Sequence, residues 1–275
     1  MIIDTSPVQT RGVHRTAPGA GRRVASLARA EALLLRRDPL AMFTAIGTPI
    51  AVMLFLGNLL PPGAGGTGAA AGMVIGFIAF TLLAGVYYNL TAALVARREA
   101  LVLKRLRTGE LSDTEILAGA AVPAITLAWG QVAVGATAVA VLVGLHWPHN
   151  PILTVLGLTL GTAVFVLLAM VTTTITRSVA MAQITTTPML LASMLLSGLL
   201  PGDLPETLQR LADLLPLTAV VQLLRLGLTG TTTTGSQLNV AGTLTTAMVP
   251  LLILLAWTAA AAWVTRRWFR WEPRR

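Results

Sequence analysis

Arg97-Arg98-Glu99-Ala100-Leu101-Val102-Leu103-Lys104-Arg105-Leu106-Arg107-Thr108-Gly109-Glu110-Leu111-Ser112-Asp113 is the one charged segment between long apolar runs whose pattern suits a helix. Five of its residues are Lys or Arg, and Lys104 is the only lysine of the chain. The sequence on either side is apolar for long stretches. The segment therefore reads as an island of water-facing charge in a chain whose main solvent is lipid.

Composition supports that reading. Of 275 residues, 55% are hydrophobic and 11% charged, with a mean hydropathy of +0.75. A soluble domain carries about 25% charged residues, so this chain cannot cover a water-facing surface of ordinary size. It has no cysteine, which excludes disulfides and thiolate metal sites. The net charge of +9 would suggest nucleic acid in a soluble protein. Here the basic residues flank apolar runs, which is the signature of membrane orientation, so no nucleic-acid partner is expected.

A membrane span needs about 20 apolar residues at a 1.5 Å rise per residue. Six segments qualify, near 40–60, 71–95, 115–145, 152–176, 179–200 and 241–265. Pro123 in the third predicts a kink, with neighbouring helices satisfying the freed carbonyl. Residues 1–21 are rich in Pro, Gly, Thr and Arg without periodicity, and a disordered cytoplasmic tail is expected there. The first apolar run begins only near Leu40, so no cleavable signal peptide is expected. Over 22–38, Val24, Leu27, Ala28, Glu31, Leu34 and Leu35 share a helical stripe opposite Arg22, Arg29 and Arg36. This predicts an amphipathic helix lying in the membrane interface.

Eighteen of the twenty Lys/Arg residues fall on one side of the resulting topology, and only Arg210 and Arg225 fall on the other. Both termini and the charged loop are thus expected in the cytoplasm. Trp147, Trp263, Trp268 and Trp271 sit near span ends, as interfacial aromatics do. Between spans five and six, Asp203-Leu204-Pro205-Glu206 predicts a helix start, with Asp203 as N-cap and Glu206 at N3. Leu208, Leu211, Leu214 and Leu215 continue it at helical spacing. Pro216 ends that helix, and a second is expected from Leu217 to about Leu228. Both are too short to span, and they read as extracellular re-entrant or interfacial helices.

No enzymatic constellation is visible. His14, His146 and His149 have no carboxylate or thiolate near them in sequence and read as loop residues. Ser197-Gly198 lacks the flanking pattern of a nucleophile elbow. No glycine-rich phosphate loop ending in Lys-Ser/Thr is present, so the chain is not expected to hydrolyse nucleotide. The spans are nearly free of charge, with Glu115 and Arg177 at their ends. An ion-coupled carrier usually needs intramembrane ionisable groups. Energy for transport would then have to arrive from outside the chain.

The charged segment offers a route. Placed on one helix over 97–108, Arg97, Arg98, Lys104, Arg105 and Arg107 cover about half the circumference at 100° per residue. Val102, Leu103 and Leu106 face away. Glu99 falls in the apolar arc and has no basic residue at i+3 or i+4, so a partner on another segment is expected. Leu101 stands among the basic residues as an apolar knob.

From Ala96 to Ala120, ARREALVLKRLRTGELSDTEILAGA resembles the cytoplasmic loop of the ABC type-2 (ABC-2) exporter permeases. The stretch Leu196-Ser197-Gly198 to Pro201, with Leu204-Pro205, Leu211, Leu214-Leu215-Pro216-Leu217-Thr218 and Leu223 to Gly227, resembles the outer helical region of the same family. The topology and the interfacial helix also match, and residues 22–275 would form the family's transmembrane domain. In size and loop length the chain resembles the drug-resistance and the polysaccharide or nodulation-factor exporter permeases. Gly109-Glu110 departs from the Thr-Pro often found there.

The resemblance implies an all-α membrane fold of six spans, with an interfacial helix, a cytoplasmic coupling helix and two short outer helices. It also implies a non-catalytic permease subunit of an ATP-driven efflux exporter in the bacterial plasma membrane. Its partners would be a second permease copy or paralogue and separate ATPase subunits, which would hold the ATP and Mg. Arg97, Arg98, Glu99, Leu101, Lys104, Arg105 and Leu106 would contact the ATPase. The candidate substrate path or gate is formed by Tyr87, Tyr88 and Asn89 in span two, Thr173 in span four, and Thr186 with Pro188 in span five. A lipophilic or lipid-linked cargo is expected from so uncharged a path. The alternatives are an ion-coupled secondary carrier and a non-transporting membrane scaffold.

Overall fold

A computed structural model describes residues 67–103, 112–199, 205–233 and 235–269, with Gly47 and Ala51. The expected tail over 1–21, the interfacial helix over 22–38 and the first span near 40–60 lie outside the described residues. So do Lys104, Arg105, Leu106 and Asp203.

Every regular element among the described residues is helical, and only an isolated antiparallel bridge pairs Thr231 with Gln237. The second span runs from Gly68 to Glu99. It comprises α1 (Thr67–Phe80), an eight-residue π-helical stretch (Thr81–Tyr88) and α2 (Asn89–Glu99). In the π stretch the Asn89 N–H reaches the Ala84 carbonyl, five residues back. Such wide turns inside α-helices are rare and concentrate at functional sites. The other spans are α3 (Asp113–Leu142), α4 (Pro151–Ile175), α5 (Val179–Leu196) and α8 (Val240–Trp268). Two shorter helices, α6 (Glu206–Asp213) and α7 (Pro216–Thr229), lie between the last two.

Local chemistry sets the helix starts. Ser112 and Glu115 form a capping box at α3: the Glu115 N–H donates to Ser112 Oγ, and the Ser112 N–H donates to Glu115 Oε2. Asn150 caps α4 through the Leu153 N–H, with Pro151 at the first helical position. Ser178 caps α5 and Asn239 caps α8. Pro123 lies inside α3 without ending it, and Pro188 and Pro250 lie inside α5 and α8. The start of α6 differs from the expectation. Pro205 occupies the N-cap position and Glu206 is the first helical residue, not N3. A proline N-cap offers no side-chain oxygen, so the helix is held by the Gln209 N–H donating to the Pro205 carbonyl.

The second span is the centre of the bundle. Its most apolar window is 67% buried, against 50% for α4 and 22%, 17% and 22% for α3, α5 and α8. Three spans therefore keep most of their surface for lipid or another chain.

The second span and α4 run in the same direction. Tyr87 meets Phe165 edge-on with centroids 6.3 Å apart, Thr91 reaches Ala169, and Arg98 reaches Thr173 and Thr176. Both pair members rise together in number, so these two spans finish at the same end of the bundle. Because α5 begins at that end, it leads away from it.

The chain between α5 and α8 leaves from and returns to the opposite end. Asn150, at the start of α4, donates to Thr243 near the start of α8. The Asn150 and His149 N–H groups donate to the Gly227 and Leu228 carbonyls at the end of α7. Between these points α6 and α7 bend through 82°. The Trp257 indole donates to the Leu214 carbonyl at that bend over 2.8 Å. Trp257 lies about 25 Å along α8 at 1.5 Å per residue, so the bend sits deep in the bundle and α7 climbs back to its end.

Small residues let α7 in. An added Cβ at Gly161 would lie 2.9 Å from Val220 Cγ2 and 3.0 Å from Leu82 Cδ1, and one at Gly157 would lie 3.2 Å from Leu223 Cβ. At Gly227 it would lie 2.6 Å from the Thr154 backbone nitrogen. Gly157 and Gly161, four residues apart, form a small-residue face of the kind that brings membrane helices close. As a result α7 is buried on most of its surface, including Leu217, Val220, Leu223 and Leu224.

Candidate functional site

The end of the second span meets the turn between α4 and α5. A helix ends with four carbonyls that lack intrahelical donors and with a partial negative charge; its start has the complementary deficit. At the end of α4 the Thr176 N–H and hydroxyl both donate to the Thr172 carbonyl, and the Thr174 hydroxyl donates to the Val171 carbonyl. Arg98 supplies two further donors. One guanidinium nitrogen donates to the Thr173 carbonyl at 2.8 Å, and the other donates to the Thr176 carbonyl. Arg98 is 0% exposed. A buried cation is tolerable only with such dense hydrogen bonding, and the negative end of α4 adds a favourable field.

Glu99 does the opposite task at the next helix. Its Oε1 accepts the Val179 N–H at 3.3 Å, at the first residue of α5. The carboxylate faces the positive end of α5, beside the Ser178 cap. Consecutive residues of opposite charge thus hold the end of one helix and the start of the next, each at the terminus whose dipole suits it. Glu99 has its partner on another segment, as its lonely position in sequence predicts.

The charged segment is not one continuous helix. After Glu99 the Leu101 N–H donates to the Arg98 carbonyl, and Leu101 takes the left-handed conformation at φ 58°. That conformation costs a non-glycine residue about 1–2 kcal/mol and turns the chain away from the axis of α2. The angular placement over 97–108 therefore fails at Leu101. Arg97, Arg98 and Glu99 belong to the last turn of the second span, while Leu101, Val102 and Leu103 take a new direction. Leu101 is 41% exposed and Val102 is exposed beside it, whereas Leu103 is fully buried.

The expected ATPase-facing set is accordingly divided. Arg98 turns inward with no exposed surface. Arg97 is half-buried in the same helical turn, and Glu99 and Leu101 are exposed at the helix end.

The six residues of the candidate path are not brought together. Tyr87 is buried with its hydroxyl 3.0 Å from Thr172 Oγ1. Thr173 and Thr186 are buried and donate to their own i−4 carbonyls, Ala169 and Ala182, the usual fate of threonine in a membrane helix. Tyr88 is half-buried, while Asn89 and Pro188 are exposed on the bundle surface. Four positions gain importance without having been singled out: Thr91, Thr176, Gly157 and Gly161. The Gly157–Gly161 spacing was a readable signal for close helix packing. Nothing in sequence marks Thr91 or Thr176 among the many threonines.

These features define a multi-pass helical membrane protein whose second, fourth and fifth spans are tied together at one end. The family model described as ABC-2 type transporter matches residues 22–229, and the chain belongs to that family. It is a membrane permease component of the ABC transporter class. No curated protein matches it.

Proposed function

We propose that the chain is the transmembrane half of an ATP-driven exporter, with ATP and Mg bound by separate ABC ATPase subunits. The supporting observation is the Arg98–Glu99 clamp. A push on the segment after Leu101 is carried by two adjacent residues into the ends of α4 and α5, so a cytoplasmic event can repack three spans together. The end bearing Arg98, Glu99 and Arg177 is the cytoplasmic one, as are both termini, in keeping with the Lys/Arg distribution. The bent pair α6–α7 is then a re-entrant hairpin on the outer side. The ATPase contact lies on Arg97, Leu101, Lys104, Arg105 and Leu106, with Glu99 at its margin.

The exposed surfaces of α3, α5 and α8 suit a pairing of two permease subunits in the bacterial plasma membrane. Tyr88, Asn89 and Pro188, which face outward from one subunit, would line the path between them for a lipophilic or lipid-linked cargo. Copurification with a Walker-motif ATPase tests the assignment. With the complex in vesicles, Leu101→Ala and Arg105→Ala should leave ATP hydrolysis in place while transport falls. Normal transport by both variants sinks the coupling role.

A further inference from the structure

The bend between α6 and α7 lies inside the membrane. Trp257, whose indole donates to the Leu214 carbonyl at the bend, is about 25 Å from the start of α8 and about 16 Å from its end. The whole helix is about 43 Å long at 1.5 Å per residue, and a hydrocarbon zone is about 30 Å thick. Wherever that zone is placed along α8, it contains Trp257, at least about 12 Å inside its edge on the side where α8 starts. The bend ties one end of α7 to α8, and the other end of α7 is tied through Asn150 to the start of α8, so α7 follows the bundle axis. From it α6 leaves at 82°. The eight residues of α6 therefore stay near the depth of the bend.

At that depth α6 is charged and uncovered. Glu206 and Arg210 pair with each other across one turn at 3.9 Å, with side chains 92% and 83% exposed. Of its residues only Ala212 is buried. Charges inside a membrane protein are not left to lipid; they face the bundle interior or a water-filled cavity. The backbone makes the same demand. At the level of the bend α5 ends, where the Thr218 hydroxyl donates to the Leu196 carbonyl. A helix end at membrane depth is tolerated only inside protein or beside water. A groove of about 280 Å³ leads from here towards the start of α8. Its polar lining runs from Asp213 at the bend, which accepts from the Gln222 amide at 3.1 Å, past Arg225 to Thr231, Thr232 and Thr233.

We propose that water enters this groove from the outer side and reaches α6, so that the protein is hydrated to about the middle of the membrane on this flank. The dry layer beside α8 then shrinks from about 30 Å to about 16 Å, the run from Trp257 to the end of the helix. The side of entry rests on the exporter reading, in which the α6–α7 hairpin is on the outer face. Under that reading, a cargo with a polar head meets its thinnest barrier here.

The chain has no cysteine, so single cysteines in the full-length protein report water directly. The thiolate is the form that reacts, and an apolar medium disfavours it. The probe is a membrane-impermeant trimethylammonium methanethiosulfonate, applied to one face of sealed vesicles at a time. Thr233→Cys, exposed at the mouth of the groove, sets the rate in open water. Arg210→Cys and Gln209→Cys, both exposed on α6, should react from the outer face within about tenfold of that rate. Leu252→Cys, 63% exposed on α8 and shallower than the bend, should react at least about a hundredfold more slowly than Thr233→Cys. Two variants on α6 keep the test usable if one does not fold. Rates on α6 as low as that of Leu252→Cys from both faces overturn the proposal. Fast reaction from the inner face alone overturns entry from the outer side, and the topology with it, while placing water at α6.

Discussion

Glu99 Oε1 accepts the backbone N–H of Val179, eighty residues away, at the first residue of α5. The contact joins the last turn of one span to the first turn of another. Beside it, Arg98 holds the preceding helix by its carbonyls. Removing Glu99 should therefore loosen a helix start on a different segment. Glu99→Ala should speed hydrogen exchange at the Val179 to Met181 amides several-fold and cost about 0.3–1 kcal/mol, the range for a carboxylate at an exposed helix start. Glu99→Gln, which keeps an acceptor, should fall between the two. Identical exchange in all three proteins would remove the cap.

Arg98 should be far less tolerant. Arg98→Ala leaves the Thr173 and Thr176 carbonyls without their donor, at about 1–3 kcal/mol for each buried group left unsatisfied. It also opens a space the size of an arginine side chain. Loss of a monodisperse peak in detergent is the expected result. Arg98→Lys keeps the charge but not the fork that reaches two carbonyls at once, so it should give folded protein with a clearly lower melting temperature.

The sign of one substitution reports the backbone at Leu101. In its left-handed conformation, Leu101→Gly removes a steric penalty of about 1–2 kcal/mol and should raise the melting temperature. In a continuous helix the same change would lower stability by about 1 kcal/mol. Transport should still fall, because the exposed apolar side chain is gone. Stability rising while coupling falls would separate contact from folding.

The glycines facing α7 should rank by what their new methyl group would meet. Gly157→Ala makes its tightest contact at 3.2 Å, with Leu223 Cβ, a milder crowding than at the other two, so a loss near the low end of the about 1–3 kcal/mol typical of overpacking is expected. Gly161→Ala should cost more, because Val220 and Leu82 crowd it together. Gly227→Ala meets the Thr154 backbone and should cost most. Gly72→Ala, with open space around it, is the control and should be neutral or slightly stabilising. Melting curves in one detergent suffice to establish the order.

Tyr87→Phe should cost about 1 kcal/mol through its lost hydrogen bond to Thr172 and leave substrate preference unchanged. Altered preference in transport assays would place the hydroxyl on the path after all.

The span positions were legible because burial in lipid demands long apolar runs, and such runs cannot hide. Asp113–Leu142, Pro151–Ile175 and Val240–Trp268 all fall within a few residues of expectation. The end of the second span was not legible. Leucine carries no left-handed preference, so the break at Leu101 had no local signal, and the helical pattern ran past it. Arg98 looked like any other orienting charge, because its partners are backbone carbonyls, which have no sequence signature. Glu99 was readable for the contrary reason: a carboxylate with no basic residue at i+3 or i+4 must look to another segment. The α6 start was misplaced because the Asp–x–x–Glu spacing fits a capping box at a position where Pro205 sets the turn.

One peptide bond separates the two residues of the clamp, and that spacing sets how the junction can yield. Arg98 and Glu99 cannot move apart, so the ends of α4 and α5 share a fixed gauge at this point. A small displacement of the second span strains both holds together. A large one must snap one of them. A displacement at this junction therefore acts on the ends of both helices at once.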